Sequence, residues 1–117
     1  MVKNYPEYYR SLLEMQKKLS IELPGPMKSF GHLHNEVTVG GALDTKAKEL
    51  IALGIGISVR CDGCISYHVH DAIESGATRE EIIETIGVAI LMGGGPSMVY
   101  GCEALEALDQ FEKETIE

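Results

Sequence analysis

Positive charge is scarce in this chain. Lysine and arginine number 10 against 18 aspartates and glutamates, a formal net charge of −8 at pH 7. A surface of that sign repels phosphate backbones and anionic headgroups, so neither nucleic acid nor a membrane is an expected partner. Long hydrophobic runs are missing as well, with no stretch reaching the roughly 18–20 apolar residues of a membrane span. The opening "MVKNYPEYYR" lacks the apolar segment of a secretory leader. Cysteine occurs only 3 times, an odd number that argues against a closed disulfide framework. With no leader, the expected setting is a reducing compartment, the cytoplasm. Sustained apolar–polar alternation, internal repeats and low-complexity segments are also missing, which leaves the helical period as the dominant pattern.

What the chain does hold is a globular composition, 44% apolar, and punctuation that divides it into helices. Asn4 and Pro6 open a first helix through "YPEYYRSLLEMQKKL", which "ELPGP" interrupts. A weaker second helix covers "PMKSFGHLHNEV" and ends at the Gly40-Gly41 turn. Asp44 or Thr45 caps "KAKELIALGIGISV", in which Ala47, Leu50, Ile51, Ile55 and Val59 recur at helical spacing. Gly54 and Gly56 inside that helix each cost about 1 kcal/mol against alanine, so they predict close approach to a neighbouring backbone. The next helix carries "RCDGCISYHVHDAI" and stops at Gly76. Thr78 and Glu81 then form a capping box for "REEIIETIGVAILM", with Ile82, Ile86, Ala89 and Ile90 facing inward. Gly93-Gly94-Gly95 makes an inter-helix joint and Pro96 starts the last helix. Neither "GIGIS" nor this triple glycine is a nucleotide loop, because the third glycine of one and the Lys-Ser/Thr of the other are absent. The expected architecture is all-α, one compact domain of about six helices over residues 1–117, with N-terminal helices in 1–42 and a core in 43–112.

The chemistry concentrates in "RCDGCISYH". On a helix Cys61, Cys64 and His68 share one face. Positions i and i+3 lie roughly 5 Å apart, close enough for a disulfide. The two cysteines fall at a helix start, where unpaired N–H groups and the macrodipole favour thiolate, the reactive form. Arg60 adds positive charge and Asp62 opposes it. A zinc site built on this pair would need two further ligands, and His32, His34, His70 and Cys102 stand at no characteristic spacing for it. No cofactor or metal is therefore expected. His70, two positions from His68, points to another face and reads as a surface or interface residue. His32 and His34 could line a pocket mouth but read as core or surface, and Cys102 reads as packing in the last helix. Met27, Phe30, Met92, Met98 and Tyr100 read as core or subunit contact.

Glu49, twelve residues before Cys61, completes a pattern: a glutamate, a CxxC and a histidine four beyond it. With "LDTKAKELIALG" and "GATREEIIETIGVAILMGGGPS" around it, the stretch from about residue 43 to 112 resembles the alkylhydroperoxidase D-like proteins, grouped with the carboxymuconolactone decarboxylases. The resemblance implies an all-helical fold assembled as trimers or hexamers, and thiol peroxidase or disulfide reductase activity. By that resemblance Cys64 attacks a hydroperoxide, Cys61 resolves the sulfenic acid, and His68 with Glu49, through a water, forms the proton relay. A dithiol or lipoyl-type donor would reduce the disulfide. Gly63 stands where the family's peroxidase member carries a histidine, so a shorter relay is expected here. Two other functions are compatible with the residues: a decarboxylase-type lyase acting on a small carboxylated lactone, and a metal- or redox-sensing interaction module. The lyase would want cationic groups for its carboxylates, which Arg60 and the few lysines supply poorly.

Overall fold

Local signals at the helix ends set the architecture. The structure, a computed structural model, describes residues 3–116 as six α-helices, with no strand among the described residues. Asn4 caps α1 (Tyr5–Glu22) by accepting from the Glu7 N–H at 3.0 Å, and Pro6 occupies the first turn, where its missing N–H costs nothing. The "ELPGP" break is a single non-helical residue, Leu23, and α2 (Pro24–Thr38) begins at once, two residues ahead of the sequence expectation. Asp44, of the two expected candidates, caps α3 (Thr45–Ser58) through the Ala47 N–H at 2.8 Å. α4 (Asp62–Glu74) ends at Ser75, with Gly76 at φ 92° closing a Schellman turn: Ala77 N–H bonds Ala72 O and Gly76 N–H bonds Ile73 O. The capping box of α5 (Arg79–Gly93) is formed in both directions between Thr78 and Glu81. Gly94, at φ 71°, is the joint to α6 (Gly95–Ile116).

α3, α4, α5 and α6 enclose the core, with Leu53, Ile57, Ile65, Val69, Ile82, Ile86, Ala104 and Leu108 buried together, and Tyr5 of α1 closing one end. Burial of such side chains contributes about 1.5–3 kcal/mol each, the main source of stability here. The glycines do what their position in α3 implied. A Cβ on Gly56 would lie 3.0 Å from Cys64 Cβ, so this glycine lets α3 and α4 touch at the dithiol. Gly54 faces Thr85 of α5 at an ordinary contact distance of 3.6 Å.

The apolar stripe of α3 is placed differently from the core. Its buried positions are Glu49, Leu53, Gly56 and Ile57, whereas Ile51, Ile55 and Val59 are exposed on the outer side. Periodicity locates an apolar face but does not say what covers it, and here nothing among the described residues does. Cys102 is likewise exposed, against the packing role expected of it. α6 turns Ser97, Gly101, Ala104, Ala107 and Leu108 inward, which leaves position 102 outside. α2 has no buried residue, and Phe30, Leu33 and Val37 lie open on it. Among the described residues no helix is long and apolar enough to cross a membrane.

Candidate functional site

Between α3 and α4 the chain must reverse and deliver Cys61 to a helix start. It does so with a second Schellman turn, in which Cys61 N–H bonds Gly56 O at 3.0 Å and Arg60 N–H bonds Ile57 O at 3.2 Å. The left-handed residue this turn requires is Arg60, at φ 60°, a conformation that costs a non-glycine residue about 1 kcal/mol or more. The same turn at the end of α4 uses Gly76. Arginine here keeps a positive charge next to the cysteines at the expense of backbone strain.

Cys61 is the N-cap of α4, a position usually held by serine, threonine, aspartate or asparagine. Its Sγ accepts from the Cys64 N–H at 3.1 Å. The two sulfurs are joined as a disulfide with the Cα atoms 5.1 Å apart, as i, i+3 spacing at a helix start allows. Both cysteines are half-buried. Asp62, whose charge opposes thiolate, is matched by Lys3, which lies 2.5 Å from Asp62 and 2.7 Å from Glu103. These two carboxylates, Asp62 foremost, hold the Lys3 ammonium well above the usual lysine range. Tyr5, fully buried, donates its hydroxyl to the same Glu103, and Ser66 of α4 donates to Tyr5 O at 2.8 Å. The start of α4 is thus tied to α1 and α6 by a polar network that distant sequence positions build.

Gly63 lies against α1. A Cβ there would meet Leu12 Cδ2 at 3.5 Å and the Tyr8 ring and hydroxyl at 3.8 Å. Alanine would fit, and the Leu12 and Tyr8 side chains border the space beyond its Cβ.

Glu49 is 3% exposed, and its Oε2 lies 3.5 Å from His68 Nδ1. The glutamate that would be a solvated residue on its own is therefore a buried carboxylate facing the imidazole of the motif. Tyr67 stands edge-on to both His68 (ring centroids 5.5 Å) and His34 (6.2 Å). Burial first, then the Asp71 and Glu49 carboxylates, push the Tyr67 hydroxyl up, so it remains a neutral phenol that can donate a hydrogen bond. His70 does point away from His68, but it is not a bare surface residue. It stacks on Tyr9 at 4.0 Å with the rings 20° apart, and its Nδ1 lies 2.9 Å from Asp71 Oδ1.

Asp71 carried no expectation from the sequence, and His34 only that of a core or surface residue that could line a pocket mouth. Asp71 follows Cys64 and His68 at i+7 and i+3, so helical spacing alone could have put it on the dithiol face. His34 comes from α2, and nothing in "HLHNE" distinguishes it from His32, which is exposed. A fold that brings α2 over α3 and α4 is needed to choose between them.

A family model of the carboxymuconolactone decarboxylases matches residues 24–107. A carboxymuconolactone decarboxylase family protein from Legionella pneumophila has a similar structure, with a TM-score of 0.88, 41% identity, and 92% of this chain and 96% of that one covered. A family protein from Thermotoga maritima, for which a part in antioxidative response has been suggested, matches with a TM-score of 0.80, 31% identity, and 92% and 91% of the two chains covered. An uncharacterized protein of Cupriavidus necator is 36% identical over 86 residues, which cover 74% of this chain and 76% of that protein. With the family model spanning most of its length, the chain belongs to the carboxymuconolactone decarboxylase family.

Proposed function

We propose that this protein is a thiol–disulfide oxidoreductase that reduces hydroperoxides through Cys61 and Cys64. The observation that carries the reading is a disulfide-bonded CxxC at the start of α4 with a buried glutamate set against the histidine of the same motif. In the reduced protein His68 accepts the Cys64 proton, with Glu49 stabilising the imidazolium. The Cys64 thiolate attacks the distal oxygen of ROOH, the O–O bond breaks, and ROH leaves after gaining the proton. Cys64 is now a sulfenic acid. The Cys61 thiol attacks its sulfur, forming the disulfide and releasing water. A dithiol donor of lipoyl type then returns two electrons: its thiolate attacks Cys64 and Cys61 departs, after which the second donor thiol frees Cys64.

The N-cap position favours this division of labour. A thiolate at Cys61 would accept the Cys64 N–H as the disulfide sulfur does, and a stabilised thiolate leaves faster. Exchange partners are therefore expected at Cys64. We further propose that the chain works as a homo-oligomer, a trimer or hexamer, in the cytoplasm. The exposed Ile51, Ile55, Val88 and Met92, which line an open apolar groove of about 370 Å³, favour burial on another copy.

The test is stoichiometric titration of the reduced protein with tert-butyl hydroperoxide, followed by mass mapping. One equivalent should produce the Cys61–Cys64 disulfide, Cys61→Ser should stop at a Cys64 sulfenic acid, and Cys64→Ser should consume no peroxide. Peroxide turnover in Cys64→Ser would overturn the assignment. Thiols inert to peroxide, together with a lactone decarboxylase activity that survives alkylation, would replace it with the lyase reading.

A further inference from the structure

We infer that His34, Glu49 and Asp71 form a binding site for a divalent transition-metal ion, with zinc the best-matched class. The three come from α2, α3 and α4, and one ligand atom from each lies within 4.8 Å of the others. The observation that points to a ligand is the state of His34. Its Nε2 is buried and has no hydrogen-bond partner among the described residues. Leaving a buried imidazole nitrogen unpaired costs free energy that native structures rarely concede without a reason. Its Nδ1 faces Asn35 Oδ1 at 3.5 Å, so the tautomer protonated on Nδ1 presents a lone pair on Nε2.

The carboxylates are held as metal ligands commonly are, each by a histidine on one oxygen. His68 Nδ1 lies 3.5 Å from Glu49 Oε2, and His70 Nδ1 lies 2.9 Å from Asp71 Oδ1. The second oxygen of each has no hydrogen-bond partner among the described residues. Two carboxylates and a neutral imidazole carry a charge of −2, which a divalent cation cancels in a place where one of the carboxylates is almost fully buried. One nitrogen and two oxygen donors suit zinc or manganese and not a soft monovalent ion, and three protein ligands leave a position for water.

A cavity of about 140 Å³ that all three side chains help to line, with Thr38, Thr45 and Glu74 beside them, gives room for the ion and that water. Metal–ligand bonds of about 2.0–2.2 Å place tetrahedral ligands about 3.4 Å apart, so atoms that lie within 4.8 Å of one another must close by up to about 1.4 Å on binding. The structure permits this, because α2 has no residue locked in the core. Its end is positioned by Thr45 Oγ1 donating to Thr38 O and Thr38 Oγ1 donating to His34 O, both at 2.8 Å. Occupancy would draw Glu49 away from His68, a consequence that rests on the redox reading above; the site itself does not.

The experiment uses the full chain with the Cys61–Cys64 disulfide closed and Cys102 replaced by serine, so that no thiol can bind metal. Calorimetric titration with Zn²⁺ should give one ion per chain. His34→Ala and Asp71→Asn should each weaken binding by at least the 10- to 100-fold that loss of a mere outer partner costs, about 100-fold or more for a ligand. His32→Ala should leave it unchanged. Co²⁺ added to the parent protein should give a visible spectrum of nitrogen and oxygen coordination, a readout that needs no ligand substitution. Absence of stoichiometric Zn²⁺ binding, or binding that survives His34→Ala, overturns the inference. Loss with His32→Ala instead assigns the ion to exposed His32, whose Nε2 lies 3.8 Å from Glu36 Oε1, and overturns it equally.

Discussion

Replacing Gly56 and Gly54 one at a time by alanine measures what it costs to bring α3 up to the dithiol. Both lie inside α3, so each substitution gains about 0.8–1.0 kcal/mol of helix propensity. They differ in what the new methyl group meets. At 54 the nearest atom is Thr85 Cγ2 at 3.6 Å, an ordinary contact. At 56 Cys64 Cβ stands at 3.0 Å, with the Cys64 carbonyl carbon at 3.8 Å and Ile65 N at 3.9 Å behind it. Carbon atoms pack best at about 3.5–4.0 Å, so α4 must retreat by about half an ångström. The obstructing atom is fixed to the α4 backbone and has no rotamer by which to yield. Overpacking of this kind costs about 1–3 kcal/mol. Gly54→Ala should therefore stabilise the fold by about 1 kcal/mol, and Gly56→Ala should lie between neutral and about 2 kcal/mol destabilising. The predicted gap between the two variants is about 1–3 kcal/mol. Urea denaturation of both, oxidised and at one protein concentration, reads that gap directly. Retreat of α4 also displaces Cys64, so disulfide formation should slow in Gly56→Ala alone. A Gly56→Ala protein as stable as Gly54→Ala would refute the close-approach argument.

Other features of the site are open to measurement. Arg60→Gly relieves a left-handed arginine, so stability should hold or rise by about 1 kcal/mol while the pH at which the thiols alkylate moves up. A loss of stability would show that the Arg60 side chain, and not its charge, supports the turn. Glu49→Gln keeps the shape and removes the charge behind His68; peroxide turnover should fall by about 10²–10⁴-fold. An unchanged pH–rate profile would remove Glu49 from the relay. Thr78→Ala deletes the cap of α5 and should cost about 1 kcal/mol in thermal denaturation. The Thr78 N–H foremost, then Lys46, lower the Glu81 pKa, so the stability Glu81 contributes is present above its unfolded value and lost as pH falls through its folded one. The destabilisation caused by Glu81→Gln should accordingly vanish in acid, and a difference that persists there would contradict the linkage.

Much of this molecule is legible along the chain because much of it is local. A cap is a contact between residues three apart, and so Asn4, Asp44, Thr78 and Gly76 could be assigned from sequence and stand where expected. The same holds for Cys61 and Cys64, whose pairing needs one helical turn and nothing else. Glu49 is different. Its distance of 3.5 Å from His68 depends on how α3 packs on α4, and its assignment from sequence rested wholly on a resemblance.

Where a contact joins distant segments, local pattern had no hold on it. Lys3 reaches Asp62 and Glu103 across the fold, and no periodicity links those three positions. The outward placement of Ile51, Ile55 and Val59 reversed what an apolar stripe suggests, because amphipathicity records a face and not its cover. His34 and His32 are equivalent in the sequence, and only the packing of α2 buries the Nε2 of one beside Glu49 and Asp71 and leaves the other in solvent. By itself, then, the sequence determined the helices, their caps and the dithiol, because hydrogen bonds and side-chain spacing within a turn or two decide them. The tertiary structure alone decided which charges and imidazoles surround that dithiol, because those depend on helices meeting at angles that no local interaction encodes.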